Sequence, residues 1–164
     1  MARRVFFSFH YQHDIFRVSQ VRNSGVTKGN YEQSGFIDHA DWESLERQGD
    51  EAIKRWINGQ LNGASVIVVL IGAESFDRPW VNYEIQQGYA DGKGMLGIFI
   101  HQLKDPRTGQ PDYNGRNPFE NIYIANSNPR RYLSALYPVY DWVLDNGYAN
   151  FANWVETAAR QTGK

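Results

Sequence analysis

Apolar positions along the chain alternate between short unbroken runs and stretches where they recur every three or four residues. Val5-Phe6-Phe7 is the first run and predicts a short buried strand ending near Phe9. Ile15, Val18 and Val21 then share one side of a helix, and Asn23 to Asn30 reads as a loop. "SGFID", Ser34 to Asp38, is a weaker strand candidate that ends in an acid. From about Glu43 the spacing is helical, with Ile53, Trp56, Ile57 and Leu61 on one stripe and Asn62-Gly63 as a left-handed stop. "SVIVVLIG", Ser65 to Gly72, is β-branched without alternation, the pattern of a central parallel strand covered on both faces.

A second helix follows in "SFDRPWVNYEIQQG", Ser75 to Gly88, where Asp77 is the expected cap and Pro79 fits the first turn. "GMLGIFIH", Gly94 to His101, predicts another buried strand. Gln102 to Pro118 holds three prolines and two glycines and predicts an irregular excursion. Ile122 to Ile124 is the expected last strand, and Phe151, Trp154, Val155, Ala158 and Ala159 mark an amphipathic final helix. Strands alternating with helices predict one α/β domain over residues 1–164 with a mainly parallel sheet. Its core is expected at about 3–101, an insertion at about 102–118, and a C-terminal strand and helices at about 119–161.

Composition narrows the function classes. Lys plus Arg number 17 against 18 for Asp plus Glu, which offers neither nucleic acid nor an anionic membrane an electrostatic footing. The absence of cysteine excludes disulfides and thiolate metal sites and makes a cytoplasmic location the simplest expectation. The apolar run Val5 to Phe9 is too short for a signal peptide, and Val66 to Ile71 is far too short for a membrane span. "GKGMLG", Gly92 to Gly97, has the letters of a dinucleotide fingerprint. It leaves a helix and enters a strand, however, the reverse of the order that motif requires. His10, His13 and His39 lack an acidic partner at fixed ligand spacing, so no metal is expected and they read as surface or cleft histidines.

Open parallel sheets bind ligands outside the carboxyl ends of their strands. Three segments meet there: Phe6, Ser8 and His10 on one face of the first strand; Asp38 with Trp42 just after; and Trp80 with Glu84, four apart on one helix face. Each alone has a plainer use, Glu84 as a solvated helix residue, Asp38 as a cap, the rings as core. Together, a carboxylate beside aromatic walls suits chemistry at a sugar carbon, where glycosidic cleavage builds positive charge.

The order of these pieces resembles the TIR domain family. Phe6, Ser8, Phe9 and Asp14 match its opening strand and following acid. Phe36 and Asp38 match the next segment, Ile57 and Leu61 lead through Ser65 into the valine-rich strand, and Trp80 with Glu84 completes the pattern. The closer resemblance is to the small TIR-like proteins of the bacterial Thoeris anti-phage system, through "RVFFSFHYQ" at the start and "YDWVLDNGYANFANWVETAA" in the tail. The resemblance implies a flavodoxin-like fold with about five parallel strands in the order 2-1-3-4-5. It implies NAD+ as substrate, with no further cofactor, and Glu84 as the catalytic carboxylate. Phe6, Ser8, His10, Asp38, Trp42 and Trp80 are the expected pocket residues. The implied product is a cyclic ADP-ribose isomer that activates a separate effector, with homo-oligomerisation as a further expectation. Two other readings stand beside this one: a non-enzymatic TIR module signalling by homotypic contact, and a flavodoxin-like nucleotide or flavin binder.

Overall fold

A computed structural model describes residues 3–162. Five strands form one parallel sheet: β1 Arg3–Ser8, β2 Tyr31–Ser34, β3 Val66–Ile71, β4 Gly94–Phe99 and β5 Val139–Asp141, in the order β2-β1-β3-β4-β5. Six helices connect or cover them: α1 Tyr11–Arg22, α2 Gly25–Lys28, α3 His39–Gln48, α4 Asp50–Leu61, α5 Pro79–Ala90 and α6 Gly147–Gln161. This is the flavodoxin-like α/β arrangement and strand order expected from the sequence.

The unbroken β3 run is explained by its two coats. Val66, Val68 and Leu70 face a core built with Val18 and Val21 of α1 and with Phe151, Trp154 and Val155 of α6. Ile67, Val69 and Ile71 face the opposite core, built with Ile53 and Ile57 of α4 and with Val81 and Ile85 of α5. Each residue of the strand is fully buried, so no position along it can be polar without cost.

Several expected elements shift. The second strand lies at Tyr31–Ser34 and ends where the expected one begins; Gly35 then turns the chain at φ 94°. The Asn23–Asn30 loop contains the short helix α2. The helical stretch expected from Glu43 is two helices, since α3 already starts at His39 and Gly49, at φ 101°, separates it from α4. Asp77 does not cap α5: the N-cap is Arg78, without a side-chain cap, while Pro79 does open the helix. The last strand is Val139–Asp141, and the Ile122–Ile124 segment instead makes an isolated antiparallel bridge from Tyr123 to Tyr132. Gly92, at φ 67°, ends the turn after α5 and Gly94 opens β4, as the reversed fingerprint predicts.

Candidate active site

The period of two along β1 puts Phe6 and Ser8 on the face covered by α5. On α5 the buried stripe is Val81, Glu84, Ile85 and Gly88, an i, i+3, i+4, i+7 pattern in which a carboxylate takes an apolar place. Glu84 is therefore no solvated helix residue, with only 6% of its surface exposed. Ser8, the last residue of β1 and itself fully buried, donates a 2.7 Å hydrogen bond from Oγ to Glu84 Oε1. Burial pushes the Glu84 carboxyl up to about 8, although the Ser8 hydroxyl favours its charged form.

The loop between β3 and α5 is pinned by Ser75, whose Oγ accepts from the Gly72 N–H at 2.9 Å. That anchor sets where α5 begins, and so sets the depth at which Trp80 and Glu84 stand. Both line a cavity of about 180 Å³, with His10, Trp42, Arg78 and Pro79 among its other walls. Tyr11 stacks against Trp42 at 6.0 Å between ring centroids, and Trp56 meets Trp42 edge-on at 6.3 Å. His10 is half-buried; desolvation first, then Arg78, lowers its pKa and keeps the ring neutral near pH 7.

Of the seven residues selected from sequence, Glu84, His10, Trp42 and Trp80 line the cavity, and Ser8 reaches it through Glu84. Phe6 and Asp38 take other places. Phe6 is fully buried in the core with Ile57 and Ile85 and is not among the residues that line the cavity. Asp38 is exposed and caps α3, accepting from the Asp41 N–H at 2.8 Å. Ile37 and Gly35 line the wall near where Asp38 was expected, and a Cβ on Gly35 would fall 2.3 Å from the Phe7 carbonyl oxygen. Sequence reasoning missed Tyr11, Trp56 and Arg78 as lining residues. Trp56 sits on the apolar stripe of α4 and reads as core, as does Ile57, which also lines the cavity; Trp56 differs from it only in being partly buried rather than fully buried. Arg78 and Tyr11 adjoin helix starts at strand ends, which is the signal that could have found them.

Residues 6–105, more than half of the chain, match the family described as "Thoeris protein ThsB, TIR-like domain". The chain is also similar to a Bacillus cereus (strain MSX-D12) protein named "Putative cyclic ADP-D-ribose synthase ThsB1". The two are 39% identical over 192 residues, covering 94% of this chain and all of that protein. A buried carboxylate hydrogen-bonded across the end of β1, a parallel sheet in the order 2-1-3-4-5 and these two matches agree, and the chain belongs to the Thoeris ThsB TIR-like family.

Proposed function

We propose that this protein cleaves NAD+ at the nicotinamide–ribose bond and closes the ADP-ribosyl group into a cyclic ADP-ribose isomer. The observation that carries the reading is the Glu84 carboxyl, buried beneath an aromatic cavity and held by Ser8. The cyclic ADP-D-ribose synthase name of the Bacillus cereus relative supports it.

The cavity, at about 180 Å³, is smaller than the few hundred Å³ of a pocket that swallows a whole ligand. It suits the nicotinamide–ribose end, with the rest of the dinucleotide across its mouth. Trp42, Trp56 and Trp80 offer faces for planar rings, and the Arg78 cation is matched to the diphosphate.

Before NAD+ binds, the Glu84 carboxyl holds its proton near pH 7, because burial raises its pKa to about 8. Nicotinamide in NAD+ is a pyridinium, and its positive charge beside Glu84 favours the carboxylate. Substrate binding thus drives proton release. When the C1′–N bond breaks, its electron pair leaves with neutral nicotinamide and C1′ becomes an oxocarbenium centre. The ionised Glu84 stabilises that charge or holds the ribose hydroxyls. A nucleophilic atom of the same ADP-ribosyl group then attacks C1′ and closes the ring. Aromatic walls that exclude water favour this internal attack over hydrolysis.

The product acts as a signal to a separate effector, in a cytoplasmic setting and with further copies of this chain as partners. No helix among the described residues is long and apolar enough to cross a membrane. Incubating the protein with NAD+ and resolving the products by mass spectrometry tests the reading. Nicotinamide together with a product at the mass of cyclic ADP-ribose is expected. Nicotinamide with linear ADP-ribose alone would overturn the cyclase step, and NAD+ left intact by the assembled protein would overturn the whole reading in favour of a scaffold.

A further inference from the structure

A second polar cluster, begun in the first turn of α1, lies outside the lining of the cavity. Asp14 is fully buried, and neither of its carboxylate oxygens has a hydrogen-bond partner. A buried carboxylate without a donor is costly, so something is expected to answer it. The carboxylate is seated against the backbone at Gly72: a Cβ there would fall 2.1 Å from Asp14 Oδ2. Only a glycine leaves that space.

Two further groups converge on it. Donor atoms of His13, Asp14 and Asp112 all lie within 4.8 Å of one another, although Asp112 comes from the excursion after β4, 99 residues beyond His13. The two ring nitrogens of His13 are differently placed. Nε2 is in direct hydrogen-bond contact with Asp112 Oδ2 at 2.5 Å, while Nδ1 lies 3.4 Å from Glu74 Oε2. A carboxylate behind one imidazole nitrogen is the arrangement that orients a metal-binding histidine, leaving the other nitrogen for the ion. Asp112 is braced in the same manner: its Oδ1 accepts from the Tyr113 N–H at 2.8 Å, and Arg17 Nη1 stands 3.5 Å from Oδ2. Spacing along the sequence could not show this set, because its acids come from three separate segments.

We propose that His13, Asp14 and Asp112 bind one divalent transition-metal cation of the Mn2+ or Zn2+ class, with Glu74 orienting the His13 ring. One imidazole and two carboxylates suit such an ion better than Ca2+, which prefers six to eight oxygens. Binding opens the direct His13 Nε2–Asp112 Oδ2 contact, since two ligands around one such ion stand about 3 Å or more apart, and turns both atoms with Asp14 towards the ion. The ion takes the place of the proton between His13 Nε2 and Asp112 and gives the Asp14 oxygens the partner they lack. It ties α1, the β3–α5 loop and the excursion into one unit beside the active-site cavity.

The test uses the full chain, freed of metal by EDTA and titrated calorimetrically with MnCl2 and, separately, ZnCl2. One saturable equivalent per chain is expected with at least one of the two, weakened tenfold or more in Asp14→Asn and in Asp112→Asn. Glu120→Gln, an exposed change elsewhere, keeps wild-type affinity. Asp112 is partly exposed, so its variant carries the test if Asp14→Asn does not fold. Mn2+ is expected to broaden the NMR signals of His13 before those of His39, which pairs with Glu43 on the surface. The proposal is overturned by no saturable uptake of either ion, by equal affinity in wild type and both asparagine variants, or by broadening centred on His39.

Discussion

Ser8 Oγ donates to Glu84 Oε1 at 2.7 Å, joining the end of β1 to the second turn of α5 across an otherwise apolar layer. That bond is the polar contact through which the sheet fixes the proposed catalytic carboxyl. Ser8→Ala removes the donor that favours the charged form and leaves burial unopposed. The Glu84 pKa then rises above its wild-type value, and kcat/KM at pH 7 falls about tenfold or more. Profiles of kcat/KM against pH check this. The rising limb moves to higher pH in Ser8→Ala, whereas a purely structural serine would lower the profile without displacing it.

In the wild type, kcat/KM reports ionisations of the free enzyme. With the Glu84 carboxyl at about 8, kcat/KM climbs as pH rises from 7 towards 9. The profile of kcat turns at lower pH, because bound pyridinium has already favoured the carboxylate. Identical turning points in the two profiles would contradict proton release on binding.

The same carboxyl burdens the fold. Its folded value of about 8 exceeds the ordinary 4.5, so between those pH values the native protein holds a proton that the unfolded chain has released. The native state binds more protons in that window, and stability therefore declines as pH rises through it. Glu84→Gln removes this dependence. Urea melts are expected to show the variant little changed at pH 5 and more stable than wild type at pH 8, by on the order of a few kcal/mol. Equal gains at both pH values would contradict the linkage.

Trp42 touches Tyr11 and Trp56 and stands on the cavity wall away from α5. Trp42→Ala is expected to raise KM for NAD+ up to about tenfold with a smaller change in kcat, as the loss of a stacking face predicts. Trp42→Phe retains most of the binding. Steady-state kinetics on the two variants separates a stacking platform from a packing role.

Arg17, nearly fully buried on α1, holds the excursion in place. Its Nε donates to the Leu103 carbonyl at 2.8 Å and Nη2 to the Gln110 carbonyl at 3.1 Å. Arg17→Met keeps much of the stem and deletes these donors, leaving carbonyls and carboxylates without their partner. A destabilisation of about 3 kcal/mol is expected, with faster hydrogen exchange localised at residues 103–112. Loss spread evenly over the sheet would point to packing instead.

The sequence made the central layers legible because their burial is continuous. Val66–Ile71 could only be a two-faced strand, and Trp80 with Glu84 had to share a helix face whatever else held. Edges were less legible. β5 has three residues and gains its identity from pairing with Gly97–Phe99, while the more β-branched Ile122–Ile124 finds no sheet neighbour. Tertiary context overrode local propensity there. In the site, period two placed Phe6 beside Ser8 correctly, but a shared face does not give shared depth: Ser8 reaches Glu84 and Phe6 stays in the core. Asp38 shows the same limit: expected to end a strand, it lies four residues beyond β2 and caps α3. Trp56 was hidden by the stripe it belongs to, and Asp112 by its distance along the chain from His13.

Nicotinamide release from NAD+ by wild type and Glu84→Gln, at matched concentration and with melting curves recorded on the same samples, tests the central claim most directly. Glutamine keeps the shape and still accepts from Ser8, but cannot carry negative charge. Release is expected to fall at least about 100-fold while the variant melts no lower than wild type. Turnover by a folded Glu84→Gln protein at the wild-type rate would contradict the role given to Glu84.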